Sequence, residues 1–523
     1  MRRERQLVSL RFADPQWSTA NKHSIQFVVG LPDSVQIPNF SWRITAVFVI
    51  EVLKLDYYRA DTFGNSGGII VEKLANRIGL LSSQKHPVLE LMFSIIIFTL
   101  SFACGMSGQT FSVLHTFTGG SDGATPTSGL TSDGAGNFYG TTRYGGYLDG
   151  DCAPNGCGTV FKIELVNGEW ILSTLYTFKG QTDGFRPEAR VVFGQDGALY
   201  GTTSGLNADD GDNIGGTIFN LVPPGQPCKS ANCVWTKKVL YQFGNTDCTA
   251  WSDYETCTYG DLIFDNQGNI YGTTSAGGTA GYGQVYELSR SGSGWIFTTL
   301  YSFAIDDDGD FPYGGVIFDR DGNLWGTTSL GPRYGDVPGF GVAFKLTPSS
   351  SGWVESWAYL PGEIPYAGLA IDRRGNMFGT TWAGGPGLCT GGGIDVPFQG
   401  CGTVFRTSAS ASLNLPLTIY SFATSLWYPA PGGPMAPVTL DAAGNIYGTA
   451  IADENGFGSV FEITASDLAY TSLHDFTGAS DGANPISNVT FDSSGNMYGT
   501  ASASGMACAV IGGGCGTIWE ITP

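Results

Sequence analysis

The stretch VIFDRDGNLWGTT, residues Val316–Thr328, contains the unit that decides the fold. A short alternating run ends at Asp319, which opens a turn where Gly322 and Asn323 tolerate positive φ angles. The run Leu-Trp-Gly-Thr-Thr that follows has the apolar, aromatic and β-branched residues of a second strand. The stretch therefore predicts a β-hairpin.

The second half of this hairpin recurs along the chain, as GNFYGTT, GALYGTT, GNIYGTT, GNLWGTT, GNMFGTT, GNIYGTA and GNMYGTA. The copies begin at Gly136, Gly197, Gly268, Gly322, Gly375, Gly444 and Gly495. Their spacing is between 51 and 71 residues. Seven copies of one supersecondary unit are typical of a β-propeller.

Two further strands complete each unit. A third strand follows every hairpin, as in GVAF at Gly341, and a fourth follows six of them, as in TLYSF at Thr299. The seventh copy of the fourth strand is VLHTF at Val113, ahead of the first hairpin. We therefore predict an all-β, seven-bladed propeller over residues 111–523, in which this N-terminal outer strand closes the last blade against three C-terminal strands.

Composition supports this fold and limits the partners. The chain has 77 Gly, 25 Pro and 13% aromatic residues, as expected for many short strands joined by tight turns. After residue 91 there are 38 acidic and 15 basic residues, a net charge of −23. Such a charge opposes phosphate backbones and anionic membranes. We expect a monomer that does not bind nucleic acid.

The segment Leu91–Ala103 is apolar over about 13 residues, which suits a signal-peptide core better than a bilayer span. We interpret residues 91–106 as a signal peptide, with an uncleaved anchor or a buried helix as alternatives. Residues 1–90 lack the repeat and are either an overextended reading frame, disordered, or a separate small segment. We expect a secreted or cell-surface protein, extracellular or periplasmic, with no stable membrane span in the mature chain.

Ten cysteines follow Cys104 and fall into five local pairs. The pairs are Cys152 with Cys157, Cys228 with Cys233, Cys248 with Cys257, Cys389 with Cys401, and Cys508 with Cys515. Behind an export signal, an even number of loop cysteines favours disulfides. Zinc is the alternative, because two of the pairs have nearly zinc-like spacing.

The repeat as a whole, Asp-x-x-Gly-Asn-x-Tyr-Gly-Thr-Thr, then Gly-Thr-Val-Phe, then Leu-Tyr-x-Phe, resembles the GloVer (Gloeo/Verruco) tandem repeat of secreted bacterial choice-of-anchor proteins. The resemblance covers about residues 111–523. It implies an exported repeat protein whose activity is undetermined, and it supplies no catalytic residues.

Carboxylates recur in the connections between an outer strand and the next inner strand. A ring of them near the propeller axis would offer the oxygen ligands that calcium prefers, although Asp-Gly also forms turns without any metal. Calcium is the only cofactor we consider. The candidate ligands are Asp122, Asp183, Asp306, Asp308, Asp310 and Asp481.

Aromatic residues in the loops on the same face of the propeller are candidate ligand-binding residues, because flat apolar rings beside hydrogen-bonding groups suit sugar stacking. The alternative is that they anchor their loops to the blades. The candidates are Trp251, Tyr254, Tyr259, Tyr334, Trp382, Trp427 and Tyr428.

The sequence favours a binding or scaffold module for an extracellular glycan or protein. No Gly-x-Ser-x-Gly elbow or His-Glu-x-x-His motif is present, and we assign no catalytic residue. The alternative is a propeller enzyme, a polysaccharide lyase or hydrolase, that would use loop carboxylates as acid and base.

Overall fold

The computed structural model describes the chain from residue 109 onward, with gaps. The described ranges are 109–206, 214–225, 235–244, 258–292, 294–304, 308–334, 337–385, 401–408, 416–422, 433–451, 456–503, 508, 510 and 513–523. Residues 1–90 and the apolar segment 91–106 lie outside them. Within these ranges no helix is long and apolar enough to cross a membrane.

Thirty strands and two short 3₁₀ helices, Gly150–Cys152 and Gln181–Asp183, make up the described regular structure. The first fifteen strands are β1 (Thr110–Thr116), β2 (Thr131–Ser132), β3 (Phe138–Thr142), β4 (Thr159–Val166), β5 (Glu169–Thr177), β6 (Val192–Phe193), β7 (Leu199–Leu206), β8 (Ile214–Val222), β9 (Thr236–Gln242), β10 (Ile263–Phe264), β11 (Ile270–Thr274), β12 (Gln284–Ser291), β13 (Gly294–Ser302), β14 (Ile317–Phe318) and β15 (Leu324–Thr328).

The second fifteen begin with a small extra hairpin, β16 and β17. They are β16 (Gly331–Tyr334), β17 (Val337–Gly339), β18 (Val342–Ser349), β19 (Gly352–Tyr359), β20 (Ala370–Ile371), β21 (Asn376–Thr381), β22 (Thr403–Ser408), β23 (Leu417–Ser421), β24 (Thr439–Leu440), β25 (Ile446–Ala450), β26 (Ser459–Ile463), β27 (Tyr470–Asp475), β28 (Thr490–Phe491), β29 (Met497–Ala501) and β30 (Thr517–Thr522).

These strands form seven antiparallel four-stranded sheets, the blades. Blades 1 to 3 are β2–β5, β6–β9 and β10–β13; blade 4 is β14, β15, β18 and β19; blades 5 and 6 are β20–β23 and β24–β27. Blade 7 has the order β28, β29, β30, β1, so the N-terminal strand is its outer strand. The predicted seven-bladed propeller and its closure are confirmed.

Hydrophobic packing runs around the whole ring. Seven buried clusters each combine residues of two adjacent blades. The cluster containing Trp325 and Phe405 joins blades 4 and 5, and the cluster containing Phe161 and Ile518 joins blades 1 and 7. Each blade is therefore stabilised by both neighbours, and burial between sheets supplies most of the folding free energy.

The glycine of the Tyr-Gly-Thr-Thr motif makes room for the aromatic residue of the third strand. Gly326 of β15 lies directly opposite Phe344 of β18, and a Cβ atom on Gly326 would lie 2.5 Å from the Phe344 ring. The same cross-strand pair occurs in all seven blades, with Trp519 in the last. The glycine of the Tyr-Gly-Thr-Thr motif and the aromatic residue of the Gly-Thr-Val-Phe motif thus recur together because they contact each other.

The recurring threonines connect one blade to the next. Thr327 of blade 4 donates its hydroxyl hydrogen bond to the backbone oxygen of Ala367 in blade 5, at 2.9 Å. Equivalent bonds to the following blade are made by Thr141, Thr273, Thr380, Thr449 and Thr500. Valine or isoleucine would suit a β-strand equally well at this position, but only a residue with a hydroxyl group can donate this hydrogen bond.

The aspartate that opens each hairpin turn is used within the turn. The Asp319 carboxylate accepts hydrogen bonds from the backbone N–H groups of Asp321 and Asn323, the Asn323 amide and the Trp325 indole. Burial raises the pKa of Asp319, but these hydrogen bonds outweigh burial and hold the pKa below its usual value. The motif is therefore a hydrogen-bonded turn in this blade.

Candidate functional site

The short first strands of the blades surround a central channel. Its volume is about 600 Å³, and every blade contributes to its lining. Most of the lining is apolar or backbone, and the charged side chains in it come from blades 2 and 3. They are Glu188, Arg190 and Asp261.

The segment that enters each first strand has an unusual backbone. In five blades the residue before a proline has a φ between 51° and 56°, in the left-handed region that non-glycine residues rarely adopt. These residues are Thr125, Arg186, Phe311, Ile364 and Asn484. Each such residue costs about 1–3 kcal/mol unless its surroundings compensate.

Hydrogen bonds to the preceding blade and to the second strand hold this conformation. The Phe311 N–H donates to the Tyr282 carbonyl at 3.0 Å, and the Phe311 carbonyl accepts from the Ser329 N–H at 3.1 Å. Arg186 is held in the same way by the Cys157 carbonyl and the Ser204 N–H. The backbone at the channel mouth is therefore fixed while its side chains differ from blade to blade.

In six blades a proline precedes the first strand, and in blade 3 Thr258 takes its place. We define the rim as the residue that directly follows this proline or, in blade 3, Thr258. From blade 1 to blade 7 the rim residues are Thr127, Glu188, Tyr259, Tyr313, Tyr366, Met435 and Ile486. Those of blades 1, 2, 5, 6 and 7 line the channel. The rim is therefore polar on one side and aromatic on the other.

Blades 3 to 5 present a continuous aromatic arc, which we define as Tyr259, Tyr313, Tyr366 and Trp382. The ring centroids are 5.2 Å apart between Tyr259 and Tyr313, 5.2 Å between Tyr313 and Tyr366, and 5.9 Å between Tyr366 and Trp382. All four side chains are partly exposed. The rings are inclined to one another by 71°, 51° and 66°, so neighbouring rings meet at steep angles along the arc.

Blades 1 and 2 supply the charged side. The Arg143 Nε lies 3.2 Å from a carboxylate oxygen of Glu188, which also accepts a hydrogen bond from the Ser204 hydroxyl at 3.3 Å. Burial raises the pKa of the Glu188 carboxyl, although Arg143 acts in the opposite direction. Arg143 also interacts electrostatically with Tyr259, which places the ion pair beside the aromatic arc.

A second ion pair joins blades 2 and 3. Arg190 Nε lies 3.0 Å from one carboxylate oxygen of Asp261, and the Arg190 backbone N–H donates to the other at 2.9 Å. Both residues line the channel and are partly exposed. This pair therefore adds hydrogen-bonding groups to the wall without adding net charge.

Comparison with known proteins identifies the family. The family described as the Gloeobacter/Verrucomicrobia repeat matches residues 96–250 and 238–425, more than half of the chain. The chain belongs to this family. No curated protein matches the sequence.

Solved structures similar to this Gloeobacter/Verrucomicrobia repeat protein have low sequence identity to it. A protein of unknown function from Dyadobacter fermentans is 11% identical, with a TM-score of 0.39 over 80% of this chain and 100% of that chain. The polysaccharide lyase Uly1 is 12% identical, with a TM-score of 0.42 over 80% and 93%. A PQQ-bound aldose sugar dehydrogenase from Streptomyces coelicolor is 11% identical, with a TM-score of 0.34 over 80% and 99%.

Of the aromatic residues predicted to bind ligand in this Gloeobacter/Verrucomicrobia repeat protein, Tyr259 and Trp382 belong to the arc. Tyr334 ends strand β16, in the loop region of blade 4. The other four, Trp251, Tyr254, Trp427 and Tyr428, lie outside the described residues.

The described calcium candidates lie in four different connections, one of which contains both Asp308 and Asp310. In each loop a carboxylate accepts a hydrogen bond from a backbone N–H four residues earlier, as Asp122 does from Thr118 at 2.9 Å. Asp183, Asp308 and Asp481 do the same. Asp310 pairs its backbone with Leu330, and Asp306 lies outside the described residues. The described residues contain no group of three or more metal-ligating side chains.

Two of the predicted disulfides are confirmed, Cys152–Cys157 and Cys508–Cys515. Cys401 is also disulfide-bonded, while its predicted partner Cys389 lies outside the described residues, as do Cys228, Cys233, Cys248 and Cys257. The carbonyls of Cys157 and Cys515 accept the N–H groups of Arg186 and Thr125. These disulfides therefore brace the backbone that carries the rim.

Several site residues escaped the sequence prediction. Tyr313, Tyr366 and Glu188 each follow the proline of their unit. Arg143 follows the Thr-Thr of blade 1, at a position where four other units have serine. A comparison of the units at these two positions would have found them, because both positions vary while their neighbours recur.

Proposed function

We propose that the protein is an exported binding propeller for an extracellular glycan, and that the glycan lies on the aromatic arc at the mouth of the central channel. The observation that supports this most is the arc itself, four partly exposed rings from three successive blades with centroids 5.2 to 5.9 Å apart. Because neighbouring rings are inclined by 51° to 71°, the arc offers a row of separate aromatic contacts to successive sugars.

Sugar recognition needs two kinds of surface, and the rim supplies both. The apolar C–H faces of a pyranose stack on flat aromatic rings, while its hydroxyl groups need directional polar partners. Arg143 and Glu188 lie beside Tyr259, and Arg190 and Asp261 line the channel below. The guanidinium groups can donate hydrogen bonds to the oxygen atoms of sugar hydroxyls, and the carboxylates can accept hydrogen bonds from them.

The disulfides support an extracellular or periplasmic location. Cys152–Cys157 and Cys508–Cys515 close short loops on the face that carries the rim. Disulfides form and persist in oxidising compartments and are rare in the bacterial cytosol. A disulfide-braced rim is suited to a ligand that is met outside the cell.

The experiment is a glycan array with the full chain, followed by calorimetry on the glycans that bind. We expect Tyr366→Ala and Trp382→Ala to weaken binding by about two- to tenfold each, since stacking on one ring contributes about 0.5–1.5 kcal/mol. The matched control is Trp353→Ala, which removes an aromatic side chain from the outer hairpin of blade 4. An array with no bound glycan, or arc variants that bind as well as the control, would overturn the proposal.

Product analysis separates binding from the enzyme alternative. We expect a bound glycan to be recovered intact after prolonged incubation with the protein. Cleavage that Glu188→Gln abolishes would instead indicate an enzyme in which this buried carboxyl group acts as acid or base.

A further inference from the structure

We infer that the glycan carries a single carboxylate, bound at the charged side of the rim by Arg186. This inference rests on the proposed function and names the class of sugar that the same site would select. It follows from a charge imbalance, from the position of Arg186, and from the charge of the whole chain.

The imbalance lies among three arginines of blades 1 and 2. Arg143 is paired with Glu188 and Arg190 with Asp261. Arg186 makes no ion pair with any carboxylate of the described ranges. Arg186 also lowers the pKa of Glu188 through its charge, but less than Arg143 does. Among the described side chains of this group, three guanidinium groups therefore face two carboxylates, so the group carries one net positive charge when all five are ionised.

Arg186 is held in place by its backbone. Its φ of 51° is strained, and it is fixed by the Cys157 carbonyl at 3.0 Å and the Ser204 N–H at 3.2 Å. Its guanidinium carbon lies 5.6 Å from the centre of the Tyr144 ring, and that of Arg143 lies 5.2 Å from the same ring. Both guanidinium groups thus lie close to the Tyr144 ring, and this cation–π contact restrains the direction of the Arg186 side chain.

A partly exposed guanidinium with a fixed direction is suited to a planar anion. Arginine presents parallel N–H donors that match the two oxygens of a carboxylate, and such charge-assisted pairs are about twice as strong as neutral hydrogen bonds. The nearby arc would hold the ring of the same sugar. One uronic acid residue combines both features.

The charge of the chain limits how many carboxylates the ligand carries. With a net charge of −23 after residue 91, the propeller repels polyanions at long range. At physiological ionic strength this repulsion is screened beyond about 8 Å, whereas a direct contact with Arg186 is not. A largely neutral glycan with one acidic sugar fits both conditions.

The test uses matched disaccharides in which a terminal glucose, galactose or mannose is replaced by the corresponding uronic acid. Calorimetry with the full chain at 50 mM salt should show at least one uronate bound about tenfold or more tightly than its neutral counterpart. Arg186→Gln should remove this preference and leave the affinity for the neutral sugar unchanged. The preference should also shrink at 500 mM salt.

Arg374→Gln is the matched control, because Arg374 is an exposed arginine in the hairpin turn of blade 5. It should keep the preference. Equal binding of both members of every pair, or binding on the glycan array without any bound uronate, would overturn this inference and leave the proposed function standing. If no glycan of any kind binds, the proposed function fails as well.

Discussion

The strand positions of the repeat keep the same type of residue from blade to blade, whereas the rim position changes. Opposite the second-strand glycine, the third strand has an aromatic residue in all seven blades, whereas the rim position reads Thr, Glu, Tyr, Tyr, Tyr, Met and Ile. The strand positions are buried between blades, where packing admits little variation. The rim positions are presented by a similar backbone around the mouth of the channel, and five of the seven line it. The strands therefore specify the fold, and the variable rim is where we propose that the ligand is recognised.

The strongest way to break the strand framework is to remove the strand that closes it. Deleting residues 111–118 from the full chain takes away most of β1, including Phe111, whose ring stacks on His474 at 3.6 Å. β30 would then be an unpaired edge. We expect the melting temperature to fall by on the order of 10 °C in calorimetry.

The complementary measurement adds the strand back. A synthetic peptide covering residues 109–118 should restore the melting temperature by strand addition, and the same peptide with Leu114→Pro should not. A deletion variant that melts like the full chain would mean that the ring closes in some other way.

A single substitution at Gly326 should have a smaller effect on stability and tests one defined contact. Gly326→Ala should destabilise the protein by about 1–3 kcal/mol, because the new Cβ would overlap the Phe344 ring. Phe344→Leu removes the overlapping atoms, so the double variant should be more stable than the two single effects predict when they are added. Gly294→Ala is the control, as its Cβ would meet only one atom, at 3.8 Å. Additive effects in urea unfolding would contradict the contact.

The stability of the protein should depend on pH through Glu355, in the outer strand of blade 4. Burial, with help from the Asp308 carboxylate, raises the pKa of Glu355 to about 8. Between pH 4.5 and 8 the unfolded chain gives up this proton while the folded chain keeps it, so Glu355 lowers stability as the pH rises. Glu355→Gln should therefore melt at increasingly higher temperature than wild type across this window.

Below pH 4.5 the difference between Glu355→Gln and wild type should become constant. Glu169→Gln, at an exposed position of the outer strand of blade 1, serves as the control. A constant difference from pH 4.5 to 8 would contradict the raised pKa.

The smallest effect on stability is expected at the rim. Tyr313→Ala should lower the free energy of unfolding by less than about 1 kcal/mol, because the side chain is partly exposed at the mouth of the channel. Phe344→Ala, which empties a buried site in the same blade, should lower it by about 3–5 kcal/mol. Similar values from urea unfolding would remove the distinction between framework and rim.

The fold was predictable because its signals are local. A turn such as Asp319 to Asn323 and the strand after it lie within a few residues of each other, and their chemistry is the same in each unit. The third-strand aromatic residues and the first strand at Val113 could be found by the same comparison of units.

The site was only partly predictable because it is assembled across blades. Tyr259 and Trp382 were identified as loop aromatics, but Tyr313 and Tyr366 join them only when three blades stand side by side. The backbone of Arg186 could not be anticipated at all, since a residue before proline is expected to be extended. The calcium ligands stay a prediction, with four of their carboxylates bonded within their own loops.

Closure by β1 has a consequence for how the chain folds during synthesis. Blades 1 to 6 each form from one contiguous stretch, but Thr110 bonds to Thr522, 412 residues away. At about 5–20 residues per second, β1 would wait about 20–80 s for its partner to be made. We expect blade 7 to be the last to assemble, and the growing chain to be most vulnerable to aggregation through the unpaired β1 until that moment.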